Sequence, residues 1–153
     1  DRLKIRNLIL ESTPIVSYGN FINNKLKKNY VKLSDKIRKR DIKTIEKACS
    51  SVITRDKLDY FYKVIDNMTN ETIVKYLDEV SKYQLRSDVS SYSQIYYFYG
   101  TGINEFYSKK SAKFIKKNYS NSKIICLGKA HCELSLLHPD IMIKELNKIL
   151  MQR

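Results

Sequence analysis

The sequence predicts an α/β protein, with about three parallel strands, flanking helices and an all-helical insertion after the first strand. Three observations predict it. Three short runs, "KIRNLIL", "QIYYFYG" and "KIICLG", are rich in β-branched, aromatic and aliphatic residues and are nearly continuous in apolar character, as buried parallel strands are. Amphipathic helical patterns separate the second run from the third and follow the third, so the connections are crossovers. Between the first two runs lies a long stretch with helical periodicity and no strand signal.

In order along the chain, Lys4–Leu10 is expected as the first strand, ended by "ESTP", where Pro14 turns the chain into a loop. Helices are expected near 18–33 and 36–50. Leu58, Phe61, Tyr62 and Ile65 recur at i, i+3, i+4 and i+7, one apolar stripe, with Thr54 as N-cap and Asp56 in the first turn. Ile73, Leu77 and Val80 form the next stripe, capped by Thr69 or Asn70. Gln94–Gly100 is the second strand. Ser108 is expected to cap a helix whose inner face is Ser111, Ala112, Ile115 and Tyr119. Lys123–Gly128 is the third strand. Pro139 suits the first position of a final helix, with Met142, Leu146, Ile149 and Leu150 turned inward. These boundaries divide the chain into a core strand and loop (1–16), a helical insertion (17–88) and a C-terminal α/β portion (89–153).

Of the 153 residues 42% are apolar and 29% charged, a globular balance that can build a core. No apolar run approaches the roughly 20 residues that cross a bilayer, and no charged n-region precedes an apolar stretch as in a signal peptide. Cys49, Cys126 and Cys132 are odd in number and far apart, without metal spacing; they read as reduced thiols, which points to the cytoplasm. The net charge of +13 raises a nucleic-acid partner. Residues 1–40 carry 11 basic and 3 acidic side chains, residues 41–100 carry 8 and 9, and residues 101–153 carry 10 and 4. The excess is mostly Lys, in pairs such as Lys27-Lys28, Lys109-Lys110 and Lys116-Lys117. Arg forks that read bases or phosphates are scarce, so solvated outer helix faces are expected and nucleic acid is not.

Both histidines lie in "LGKAHCELSLLHP". His131 comes three residues after the third strand ends at Gly128, and loops leaving the carboxyl ends of parallel strands are where such sheets bind and react. Here the sequence resembles the C-terminal half of an α/β-hydrolase. "LGKAHCELSLLHPDIMIKELNKIL" is similar to that family's last strand, catalytic-histidine loop and Pro-opened final helix. "QIYYFYG" resembles the strand before the acid loop, and "SKKSAKFIKKNYSNSKIICLG" the helix leading into the last strand. "KIRNLILESTP" resembles the strand after the nucleophile strand, and the helices to Gln84 stand where the family inserts a cap. The resemblance implies a partial α/β-hydrolase fold and acyl hydrolysis of an ester-like small substrate through an acyl-serine. His131 would be general base and then acid, an imidazole working near its unperturbed pKa. It implies no metal and no cofactor.

The acid that would orient His131 has two candidates. Glu105 in "GTGINEF" is the nearest carboxylate after the second strand, two residues beyond the family's usual place; Glu11 ends the first strand. A chain with no functional acid is the remaining alternative. Cys132 adjoins His131 too closely to form a dyad with it and reads as a small buried side chain. His138 precedes Pro139 and reads as a cap of the final helix. None of Gly19, Gly100, Gly102 and Gly128 brackets a serine as Gly-x-Ser-x-Gly, so the nucleophile and the oxyanion-hole amides are expected outside this sequence. The chain then reads as the cap and C-terminal portion of a longer serine hydrolase, inactive alone, or as a degenerate remnant. Its first strand would pair with its own N-terminal half or with another copy. A basic binding module for an anionic partner and a pseudo-hydrolase are the rival readings.

Overall fold

The structure, a computed structural model, describes residues 5–86, 94–101, 105–128 and 134–151 (the side chain of Leu134 excepted). It is an α/β protein. Strands β1 (Asn7–Glu11), β2 (Gln94–Tyr99) and β3 (Ser122–Cys126) form a parallel sheet in the order β1-β2-β3. Leu8 pairs with Ile95 and Leu10 with Tyr97; Tyr97 pairs in turn with Ile124, and Tyr99 with Cys126.

The central strand carries the core. Ile95, Tyr96, Tyr97 and Phe98 are all buried, because a parallel strand between two neighbours is covered on both faces. On one face Tyr96 and Phe98 pack with Met142 and Ile149 of α7 (Pro139–Met151), joined by Ile125, Leu127 and Leu146. On the other, Tyr97 meets α5 (Glu105–Asn118), whose Ser108, Ser111, Ala112 and Ile115 are buried. Ser108 is therefore not the N-cap that the sequence suggested. The helix starts three residues earlier, and Ser108 and Ser111 bring small side chains to the sheet, where their hydroxyls bond the Tyr97 phenol. That phenol also donates to the Thr13 carbonyl at 3.1 Å. Burial pushes its pKa up, against the hydrogen bonds from the two serines.

α7 begins at Pro139 as expected, and the His138 carbonyl accepts from the N–H groups of Ile141 and Met142 at 3.1 and 3.2 Å. His138 caps the helix with its backbone. A short helix not foreseen, α6 (Leu134–Leu137), precedes it. Leu150, expected inward, is 57% exposed, because Met142, Leu146 and Ile149 already fill the stripe that meets the sheet.

β1 lies at the sheet edge. Ser12 donates to the Phe98 carbonyl, and Gln94 donates to the Arg6 carbonyl. Parallel pairing alternates, so the even-numbered residues of β1 face β2. The backbone N–H and C=O groups of Asn7, Ile9 and Glu11 point the other way and meet no strand among the described residues.

Contacts divide the chain into two units: 1–13 with 86–153, and Pro14–Leu85. The second unit is helical throughout: α1 (Asn20–Arg38), α2 (Ile42–Cys49), a 3-10 turn (Arg55–Lys57), α3 (Leu58–Asn67) and α4 (Asn70–Lys82). The sequence suggested a break near residues 34–35. Ser34 instead lies buried within α1, and Asp35 pairs with Arg38 at 2.8 Å. The stop comes at Arg40, left-handed at φ 58°. Its N–H reaches Ile37 O, and Asp41 N–H reaches Lys36 O, which is the Schellman closure. A non-glycine residue strains that position. The Arg40 guanidinium offsets the strain by bonding Asp66 at 2.6 and 3.0 Å and lying 4.0 Å over the Tyr62 ring. Asp41 then caps α2 by accepting from Thr44 N–H at 2.9 Å.

Thr69 caps α4 through Thr72 N–H, and Ile73 and Leu77 are buried as foreseen, with Val80 half-buried. Leu58, Phe61, Tyr62 and Ile65 are half-buried while the rest of α3 is exposed. Thr54 precedes the 3-10 turn and accepts from Lys57 N–H through its carbonyl at 3.0 Å, with no cap hydrogen bond from its side chain.

Asp78 of α4 fastens α1. Its Oδ1 accepts from Lys27 Nζ and Asn23 Nδ2, each at 2.8 Å. The hydrogen bond from Lys27, then that from Asn23, holds its carboxyl below the usual Asp range. A depressed carboxylate stabilises the fold above its unfolded pKa of about 3.9 and stops doing so as pH falls through the lower folded value. Asp78→Asn is therefore expected to lower the urea midpoint at pH 7 and to flatten its decline below about pH 4. Urea titrations of both proteins across pH 2–7 check this; parallel pH curves would contradict it.

Candidate functional site at the carboxyl ends of the strands

Because the three strands are parallel, all leave the sheet at one end, and every carboxylate or imidazole proposed from the sequence follows one of those exits. β1 ends at Glu11 and turns through Ser12, whose φ of 46° is left-handed. Ser12 Oγ is buried without a hydrogen-bond partner among the described residues. Strain and an unsatisfied hydroxyl at one residue are more common at functional sites than elsewhere. β3 leaves through Gly128, also left-handed at φ 66°. Among the described residues, chain neighbours aside, no heavy atom lies within 4 Å of the position a Cβ would take there, and glycine answers the backbone angle.

The exits of β2 and β3 are tied together. The Gly128 carbonyl accepts from Thr101 N–H at 2.6 Å and from Thr101 Oγ1 at 2.5 Å. The β1 exit is tied to the far side of the histidine loop, where Glu11 Oε1 accepts from Ser135 N–H at 2.8 Å. Residues 129–133, with His131 and Cys132, lie outside the described residues. The segments on either side of them, Gly128 and Ser135, are thus bonded to the β2 and β1 exits respectively.

Glu105 opens α5, and its carboxylate forms an ion pair with Lys109 one helical turn later. The hydrogen bond to Glu105 raises the Lys109 pKa. Tyr99 and Cys126, partners in the β2–β3 register, stand close by. Burial first, and the hydrogen-bonded Cys126 thiol second, push the Tyr99 phenol up, while Lys109 pulls it down. Glu105 therefore sits in a small polar cluster with Lys109, Tyr99 and Cys126. To orient an imidazole it must do so with the oxygen that Lys109 leaves available. Glu11 spends one oxygen on Ser135.

Sequence reasoning named Glu105, Glu11 and the histidine loop. It missed Ser12, Thr101 and the Tyr99–Cys126 pair. "ESTP" signals a turn but not a left-handed serine, and Tyr99 and Cys126 meet only through strand register, which no local pattern encodes. Among the described residues no three His, Cys, Asp or Glu side chains gather closely enough to hold a metal ion, and no helix is long and apolar enough to cross a membrane. No protein-family model, curated protein or solved structure matches the chain.

Proposed function

We propose that this chain is the cap and C-terminal portion of an α/β-hydrolase-type serine hydrolase acting on an ester-like small substrate. The observation that carries the reading is the convergence at one end of a parallel sheet. Glu11, Glu105 and the segments flanking the His131 loop all leave the strands there, joined by the Thr101–Gly128 and Glu11–Ser135 bonds. In this reading His131 takes the proton of a serine as the serine attacks the ester carbonyl, then returns it to the leaving alcohol. Glu105, or Glu11 in its place, accepts the other imidazole N–H and fixes the tautomer. The serine and the oxyanion-hole amides belong to chain not present here. The cytoplasm is the proposed location, on the strength of the reduced thiols.

The outer edge of β1, which meets no further strand among the described residues, supports the same reading, since a strand bearing the nucleophile would pair with Asn7, Ile9 and Glu11. A protein that includes the coding sequence preceding Asp1 is expected to react with a fluorophosphonate probe. It should also protect the amides of Asn7, Ile9 and Glu11 from exchange, whereas in the present chain those of Leu8 and Leu10 are expected to be protected and these three are not. Absence of labelling overturns the hydrolase reading. A pseudo-hydrolase is favoured by one observation, the pairing of Glu105 with Lys109, and would show the strand protection without the labelling.

A further inference from the structure

Between Asn20 and Arg40 the sequence carries eight basic side chains and one acidic one. The structure sorts the eight. Arg38 bonds Asp35, Asn70 and the carbonyls of Ile65 and Met68. Arg40 bonds Asp66, and Lys27 bonds Asp78. The one acid, Asp35, belongs to Arg38. Both arginine forks are thus spent inside the unit. Lys39, exposed, follows α1 as its C-cap; within the helix Lys25, Lys28, Lys32 and Lys36 remain, all exposed and none in a salt bridge among the described residues. With Phe21 they are spaced four, three, four and four residues apart, which aligns them on one face of α1. That face is opposite the buried Asn23, Ser34 and Ile37. Phe21, at the first turn, is 84% exposed. Alongside runs an open groove of about 470 Å³, lined by Val31 and Val74 together with Lys27, Lys28, Lys32 and Asp35.

We infer that the outer face of α1 docks on an anionic lipid surface. Four compact ammonium groups along one helix face suit the diffuse negative potential of such a surface, and an exposed phenyl at the helix end suits the boundary between headgroups and acyl chains. Nucleic acid fits less well. The two guanidinium groups of this stretch, Arg38 and Arg40, suited to reading phosphates and base edges, are internally bonded, and this face offers one ring where a single strand stacks on several. The inference goes beyond the hydrolase reading and does not depend on it.

The test is sedimentation of the chain with vesicles of phosphatidylcholine alone and of equal parts phosphatidylcholine and phosphatidylserine. Binding is expected to the anionic vesicles only and to weaken with added salt. The triple variant Lys25→Glu, Lys28→Glu, Lys32→Glu is expected to lose on the order of 100-fold in affinity, at roughly fivefold or more per lysine. Phe21→Ala should weaken binding with an unchanged circular dichroism spectrum. A charge-matched control, Lys113→Glu, Lys116→Glu, Lys117→Glu on the exposed side of α5, should keep most of the affinity. No binding to anionic vesicles, equal loss in the control, or tighter binding of single-stranded DNA than of vesicles each overturns the proposal.

Discussion

His131→Ala, in a chain that carries its nucleophile, is expected to reduce kcat/KM for short-chain p-nitrophenyl esters on the order of 10⁴-fold or more. A serine hydroxyl is a poor nucleophile at neutral pH and needs a base poised near that pH to take its proton. Loss of one member of such a group costs almost as much as loss of the whole. His138→Ala is the internal control. The His138 contribution to α7 is its carbonyl, accepting from Ile141 and Met142, and alanine supplies the same carbonyl. Turnover should therefore stay near the wild-type value. Glu105→Gln and Glu11→Gln then identify the acid, since only the one that orients the imidazole should approach the His131→Ala loss. Unchanged turnover in His131→Ala would remove the proposed mechanism.

Phe98→Ala is expected to destabilise the fold by about 3–5 kcal/mol, the usual cost of removing a fully enclosed aromatic side chain and leaving a cavity. Phe98 is 0% exposed and lies among Tyr96, Met142 and Ile149, where sheet and α7 meet. For a chain of this size that corresponds to a fall in Tm on the order of 10 °C. Phe21→Ala, at 84% exposure, should change stability by no more than about 0.5 kcal/mol. Thermal and urea denaturation of the two variants measure the contrast; a Phe98→Ala loss near that of Phe21→Ala would contradict the packing described.

The strands were legible because a buried parallel strand is almost uniformly apolar, and "QIYYFYG" and "KIICLG" have no alternative partner pattern. The final helix was legible because Pro139 can only open it. What escaped the sequence depended on tertiary partners. Residues 34–35 fall between the two helices expected near 18–33 and 36–50, yet Ser34 packs inward and Arg38 takes Asp35. The actual stop, Arg40, is held left-handed by Asp66 and Tyr62, more than twenty residues away. Ser108 looks like a cap, yet its small size is used against Tyr97. At the candidate site the carboxylates were visible as residues. Lys109 stands four residues after Glu105, a helical pairing hidden only because the helix was expected to start at Ser108 and not at Glu105; Ser135 was not legible, because a contact between distant loops leaves no local trace.

The two ends of the helical unit are clasped: Leu85 N–H donates to the Ile15 carbonyl at 2.9 Å. A long excursion thus departs and comes home through a single gate. Before β1 can find β2, the ribbon between them must close, at an entropic penalty that grows with the logarithm of its length. Helices that assemble early and bring that gate shut would shorten the search, turning a remote strand pairing into a nearly local one. The same gate makes the insert a cassette, open to exchange or resizing in evolution while the sheet keeps its register.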